Sequence, residues 1–271
     1  ANLLLNESPK NSFKLAVDLN TYNKERQILE TDLLKRILNA DYGKSSDPVI
    51  ILHGENWHEG IIGIIAARIK EKFNKPTIII SVNKKTGKGS GRSIPGFDLG
   101  STIIGAVQSG LLIKGGGHKM AAGFSIDMIK INEFKEFVFK KFKSININLE
   151  EKRSYYFDAE IAPSAVNIDF FEKINLLAPF GSGNPEPRFI IKNLKSVNSK
   201  IVGEKHIKNI LVGSDSTTLK TISFNTVETE LGYLLLKKSS KPFDIAGKLS
   251  LNQWRGQRNV EFIIDDISVT K

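Results

Sequence analysis

The run Val49-Ile50-Ile51-Leu52, then Gly60-Ile61-Ile62-Gly63-Ile64-Ile65-Ala66-Ala67-Arg68-Ile69-Lys70-Glu71-Lys72-Phe73, then Pro76-Thr77-Ile78-Ile79-Ile80-Ser81-Val82 decides the fold class. The first and third pieces are short, apolar and rich in β-branched residues, the composition of buried strands. The middle piece reads as a helix whose Gly60, Gly63, Ala66 and Ala67 allow close approach to a sheet. Strand, helix and strand in succession predict an α/β unit. Downstream, residues 88–93 read as a strand and Asp98 to Gln108 as a helix capped by Asp98. Ile131 to Phe142 reads as an amphipathic helix carrying Phe134, Val138, Phe139 and Phe142.

Upstream, Ser8-Pro9 is a helix start, with Ser as N-cap and Pro where its missing N–H costs nothing. Leu15, Leu19, Tyr22, Leu29, Leu33 and Ile37 continue as one apolar seam along a helix ending near Asp41-Tyr42-Gly43. A helix of that length is expected to connect two domains, and the lack of an initiator Met suggests a fragment with a domain left off the N-terminal side. Downstream of Tyr155 the pattern becomes all-β. Tyr155 to Ile161, Phe189 to Val197, His206 to Val212, Lys220 to Phe224, Phe243 to Leu249 and Val260 to Ile267 are strand-like, and only Pro163 to Ile174 looks helical. Strands of this number and spacing predict an OB-fold β-barrel. The expected organisation is a connector helix over 1–47, a mixed-sheet α/β domain over 48–149 and an OB domain over 150–271.

The chain of 271 residues has 39 Lys+Arg, 29 Asp+Glu and no cysteine. Disulfides, thiolate metal sites and cysteine nucleophiles are thereby excluded. No apolar run approaches the roughly 20 residues needed to cross a bilayer, so the expectation is a soluble, cytoplasmic protein without a membrane partner. The net charge of +10 divides into 0 over residues 1–50, +7 over 51–150 and +3 over 151–271. Lys84, Lys85, Lys88, Arg92, Lys114 and Lys119 face only Asp98 across residues 84–119, and Arg188 to Lys220 hold seven basic groups against Glu204 and Asp215. Two basic stretches suit a polyanion such as nucleic acid, although a solvated lysine-rich surface gives the same pattern.

Gly115-Gly116-Gly117-His118 is the sharpest local signal. As a loop it would converge backbone N–H groups on a phosphate, with His118 as a further donor; a tight turn before Ala121-Ala122-Gly123 explains the same residues. Ser90-Gly91-Arg92-Ser93 combines a forked guanidinium with two hydroxyls, a set suited to phosphate oxygens and equally compatible with a surface hairpin. His53, Glu55, His58 and Glu59 invite a metal hypothesis, and His58-Glu59 begins like a zincin helix, but Ile62 stands where the second His belongs, so no metal site is expected. Trp254, with Arg255 and Arg258, falls on the turn between the last two strands, where it could stack on a base or plug the barrel end.

Four segments carry a resemblance. They are Trp57-His58-Glu59-Gly60-Ile61-Ile62-Gly63-Ile64-Ile65-Ala66-Ala67-Arg68, Gly89-Ser90-Gly91-Arg92-Ser93, Gly115-Gly116-Gly117-His118-Lys119-Met120-Ala121-Ala122-Gly123 and Pro179-Phe180-Gly181-Ser182-Gly183-Asn184-Pro185-Glu186-Pro187. In order and spacing they resemble the C-terminal half of the RecJ family of single-strand-specific DNA exonucleases, in the DHH phosphoesterase superfamily. The glycine-histidine segment is also found in nanoRNA phosphodiesterases and alanyl-tRNA synthetases; the Gly-Asn-Pro-Glu-Pro segment is narrower.

The resemblance implies a DHH-associated domain followed by an OB domain, from a 5′ to 3′ exonuclease of DNA repair and recombination. It implies Mn²⁺ or Mg²⁺ in the intact protein, held by an Asp-His-His domain that nothing in this sequence matches, so the chain alone is expected to be inactive, with no catalytic or metal residues of its own. Ser90, Arg92, Ser93, Gly115, Gly116, Gly117, His118 and Lys119 would then bind substrate phosphate. Trp254, Arg255 and Arg258 would hold the strand farther along, and single-stranded DNA is the expected partner. The alternative is a freestanding, non-catalytic single-stranded nucleic-acid-binding module.

Overall fold

The computed structural model describes residues 1–39, 47–145, 155–237, 241–254 and 256–269, and at Trp254 the backbone alone. The helix stop expected at Asp41-Tyr42-Gly43 lies outside the described residues. The chain divides into two compact units, Ala1–Glu151 and Lys152–Lys271.

The first unit begins with α1 (Pro9–Asn39), whose entry is set by the Asn6 Oδ1 accepting the Ser8 N–H at 2.9 Å. Then follow β1 (Ile50–Glu55), α2 (Ile62–Phe73), β2 (Thr77–Asn83), β3 (Thr86–Arg92), α3 (Leu99–Gln108), β4 (Lys114–His118), β5 (Ala121–Asp127) and α4 (Ile131–Lys143). The sheet has the order β1-β2-β3-β5-β4, with β1 and β2 parallel and the other pairs antiparallel. Alternation of side chains along each strand supplies two cores. On one face α2 lays Ile62, Ile65, Ala66 and Ile69 on Ile50, Leu52 and Ile79. On the other, Phe97, Leu99 and Ile103 join Phe134, Val138 and Phe142 over Ile78, Ile80 and Phe124. Ile78, Ile79 and Ile80 are each fully buried, and burial of one such side chain stabilises by about 1.5–3 kcal/mol. Asp98 caps α3 as expected, its carboxylate accepting the Ser101 N–H at 2.9 Å.

The apolar seam expected along all of α1 is buried only at its end. Leu33 and Ile37 join the α2 core, whereas Leu19, Tyr22 and Leu29 are exposed. A helix of 31 residues is about 46 Å long, and only its last two turns contribute buried side chains.

The second unit contains β6 (Ala159–Glu160), α5 (Ile168–Asn175), β7 (Phe189–Val202), β8 (His206–Val212), β9 (Thr218–Ser223), α6 (Glu230–Leu236), β10 (Phe243–Trp254) and β11 (Gln257–Val269). β7, β8 and β9 form an antiparallel meander, β9 runs parallel to β11, β11 pairs with β10, and β10 returns to β7. The result is the closed five-stranded barrel of an OB fold, filled by Ile191, Leu194, Ile207, Leu211, Leu219, Ile245 and Phe262.

Two expectations are corrected here. Tyr155 to Ile161 is not a full strand: pairing is confined to β6, and the segment is held by Arg188, which bonds the Tyr155 hydroxyl at 2.8 Å, ion-pairs with Asp265 and donates its N–H to Asp158. Burial raises the Tyr155 phenol above its ordinary pKa, with the Asp265 charge adding to the rise and the Arg188 hydrogen bond opposing it. The second helix, α6, was not expected. Thr229 caps it by accepting the Gly232 N–H at 3.2 Å, and Leu235 is fully buried in the barrel core.

Candidate nucleic-acid interface

Packing of α2 covers β2 and β3 but leaves open the adjoining part of that face, over β5 and β4. The registers assign its side chains. Lys88, Ser125 and Lys114 form one row across β3, β5 and β4; Ser90, Gly123 and Gly116 form the next; Arg92, Ala121 and His118 form the third. Directly opposed residues in an antiparallel sheet share a face, so Ser90, Arg92, Gly116 and His118 stand on one surface together with Lys88 and Lys114.

The guanidinium of Arg92 is fixed on this surface. Its Nη1 donates to the Gly91 carbonyl at 2.9 Å and to the Ser90 Oγ at 3.3 Å. A Cβ on Gly63 would lie 3.1 Å from Arg92 Nη2, so the glycine in the first turn of α2 makes room for the fork. No carboxylate lies within ion-pair distance of Arg92 among the described residues. His118 is exposed, and its Nδ1 accepts the Met120 N–H at 3.3 Å. The neutral ring then carries its proton on Nε2, which leaves a donor for an anion. Lys88 is held by Glu59 at 2.5 Å, an exposed pair that phosphate can replace.

Two expectations change. Gly115, Gly116 and Gly117 are not a loop: they lie in β4, paired with Phe124, Gly123 and Ala122, so their N–H groups do not converge into a nest. Ser93 is fully buried and donates its hydroxyl to the Phe97 carbonyl at 2.7 Å, which fixes the turn after β3 and removes it from the surface. Lys119 sits in the β4–β5 turn, where its carbonyl accepts the Leu99 N–H. Its charge acts on Asp98, whose carboxyl is lowered chiefly by the Ser101 hydrogen bonds and further by Lys119.

In the barrel, Trp254 closes β10 and pairs with Gln257 across a turn containing Gly256 at φ 79°. Arg255 lies outside the described residues. Arg258 is not a free cation: it pairs with Glu172 of α5 at 2.9 Å, both side chains being exposed. A more basic surface lies elsewhere, on the outer face of β7, β8 and β9. A cavity of about 220 Å³ there is lined by Asn198, Lys200, Lys208, Ile210 and Lys220, with Glu261 holding Lys208 at 3.3 Å. Among the residues lining it, Asn209 and Thr221 are buried, with side-chain amide and hydroxyl unpaired among the described residues. The excess of lysine before Lys220 was visible in sequence, but the gathering of three lysines from three strands was not, because it depends on register.

Among the described residues no group of three or more His, Asp or Glu is placed to hold a metal ion. The donor set here does not fit a divalent pair. No described helix is long and apolar enough to cross a membrane.

Residues 46–144 match the DHHA1 domain and residues 157–266 the RecJ OB domain. The single-stranded-DNA-specific exonuclease RecJ of Dickeya dadantii is 30% identical over 93% of this chain and 45% of its own length. The RecJ of Escherichia coli is 29% identical over 98% of this chain and 47% of its own length, and that of Bacillus subtilis 25% identical over 99% and 34%. The crystal structure of Thermus thermophilus RecJ in complex with Mn²⁺ superposes with a TM-score of 0.74 at 27% identity, covering 99% of this chain and 38% of that one. The chain thus spans between a third and a half of the length of these relatives. In its domain content, their order and the fold of each, the chain matches the DHHA1 and OB regions that form a C-terminal part of RecJ.

Proposed function

We propose that this chain is the strand-gripping part of a metal-dependent 5′ to 3′ single-stranded-DNA exonuclease acting in DNA repair and recombination in the cytoplasm. The observation that carries the reading is the open face of the first sheet, where Arg92 and His118 present donors beside Lys88 and Lys114. Arg92 forks onto one phosphate and His118 Nε2 donates to it or to its neighbour, which positions the strand without chemistry of their own. The OB barrel adds Lys200, Lys208 and Lys220 as electrostatic capture, and Trp254 as a stacking platform at the end of β10. The RecJ of Thermus thermophilus was crystallised with Mn²⁺ and with Mg²⁺. Such metals would be held by a domain bearing the Asp-His-His motif, which this sequence does not contain.

The reading is tested with the chain of this sequence and labelled oligonucleotides. It is expected to bind single-stranded DNA more tightly than duplex and to release no nucleotides with Mg²⁺ or Mn²⁺. Nucleotide release that follows the protein through purification contradicts the division of labour; equal affinity for duplex contradicts the substrate class. The alternative reading is a freestanding binding module without chemistry of its own. It is separated by the encoding reading frame, which on the exonuclease reading continues upstream for a further domain.

A further inference from the structure

We propose that the open edge of β1 receives an extended, acidic peptide segment of a partner protein, which adds to the first sheet as a further strand. β1 ends the strand order β1-β2-β3-β5-β4 and pairs, among the described residues, with β2 alone. The Ile50 N–H donates to the Pro76 carbonyl at 2.9 Å, so Ile50, Leu52 and Gly54 turn their backbone groups toward β2. Those of the alternate residues Ile51, His53 and Glu55 therefore point to the open side. Against this edge lies a cavity of about 280 Å³, between Ile50 to His53 on one side and Ile131, Asn132 and Lys135 of α4 on the other.

The other terminal strands of the two sheets are blunted. β6 has two residues, and β4 opens on Lys114 and has glycine at three of its five positions. β1 has six residues in unbroken register, without proline, lysine or bulge, and its Ile50, Ile51 and Leu52 are buried. Such an edge is a template for another extended chain, whose main-chain hydrogen bonds supply affinity while pockets for alternate side chains supply specificity. The cavity is such a pocket, and its wall at Ile131 suits an apolar side chain. Charge sets the residues between. The Lys135 ammonium lies 3.4 Å from the Asp47 carboxylate, both partly exposed, and the Lys75 ammonium donates to the Asp47 carbonyl at 2.9 Å. Two ammonium groups against one carboxylate favour a segment in which acidic residues alternate with apolar ones. Nucleic acid would satisfy the charge, but it offers no ladder of N–H and C=O groups to match the edge.

The test uses the chain of this sequence and a labelled, capped octapeptide of alternating Ile and Glu, read by fluorescence anisotropy and by amide hydrogen exchange. The peptide is expected to bind saturably. An alternating Ile and Lys peptide, and the Ile and Glu peptide methylated on every backbone nitrogen, should each bind at least tenfold more weakly. The Ile51 and His53 amides should exchange fast in the free chain and slow down with the peptide, while Leu52, paired with β2, stays slow in both. Lys135→Glu should weaken binding at least tenfold. His53→Pro, which removes an N–H from the open edge, should abolish it and leave oligo(dT) affinity unchanged; should that variant not fold, the methylated peptide and the exchange rates still decide. Slow exchange at Ile51 and His53 in the free chain overturns the proposal, because the edge is then already covered. It is equally overturned by absence of saturable binding, by undiminished binding of the methylated or the lysine peptide, and by displacement of the peptide by oligo(dT), which would make the groove a nucleic-acid surface.

Discussion

The sheet of the first unit and the barrel of the second both turn a basic β surface outward, but they are built differently. On the sheet, Arg92 is pinned by the Gly91 carbonyl and the Ser90 hydroxyl, and the floor beside it is glycine. On the barrel, Lys200, Lys208 and Lys220 line a cavity from three strands, with Glu261 partly offsetting their charge. A fixed fork beside bare backbone favours one position of the ligand. Flexible ammonium groups around a cavity favour attraction over a range of positions. On the proposed function, the sheet would set the register of the strand and the barrel would supply much of its salt-dependent affinity.

The contrast is sharpest in turnover. In a full-length RecJ-family enzyme carrying this chain, His118→Ala should lower kcat by about 10²–10³, by analogy with the loss of an oxyanion donor, with metal occupancy unchanged in a calorimetric Mn²⁺ titration. Loss of a metal site on that titration would make His118 a ligand and dissolve the distinction between gripping and chemistry. Trp254→Ala should weaken binding of a single strand by about tenfold or more, since stacking contributes about 1–3 kcal/mol per base, and should leave the salt slope unchanged. A destabilised variant whose folded fraction binds normally would assign the indole to the barrel core instead.

Smaller effects separate the two surfaces further. Replacing Lys200, Lys208 and Lys220 together by Ala should flatten the log–log salt dependence of oligo(dT) binding by about two units, at about 0.7 per phosphate contact. An unchanged slope would remove the barrel from electrostatic capture. Asp98 has the smallest expected effect. Its carboxyl is held below its ordinary value by the Ser101 hydrogen bonds and Lys119, so the ionised form stabilises the fold above the unfolded value of about 3.9. That contribution is lost as pH falls through the lower folded value. Asp98→Asn should therefore narrow the difference in melting temperature between pH 6 and pH 3, and an unaltered difference would show that the cap makes no ionic contribution.

Legibility of the sequence tracked how local each cause is. The Ile78-Ile79-Ile80 run and the Asp98 cap announce themselves within a few residues, and the structure places a buried strand and a capped helix there. The role of Ser93 was misread because its hydroxyl is taken by a carbonyl four residues on, inside a turn that spacing alone does not reveal. The glycine run misled for a related reason. Three glycines suggest a loop, yet all three are paired on β4, with Gly115 facing Ile103 and Phe124, Gly117 against the backbone of Ala121 and Ala122, and Gly116 facing open space. The helix α6 was hidden because a short leucine run carries no period, so its cap at Thr229 was the remaining signal. The lysine cavity of the barrel required three registers to be known at once.

On the proposed function, Arg92 on the open sheet holds a phosphate of a single strand. It is tested most directly by oligo(dT) affinity as a function of salt for the parent chain and for Arg92→Ala, with melting temperature as the control for folding. Arg92→Ala should bind more weakly, with a log–log slope flatter by about 0.7 and an unchanged melting temperature. A folded variant with the parent affinity and slope would contradict it.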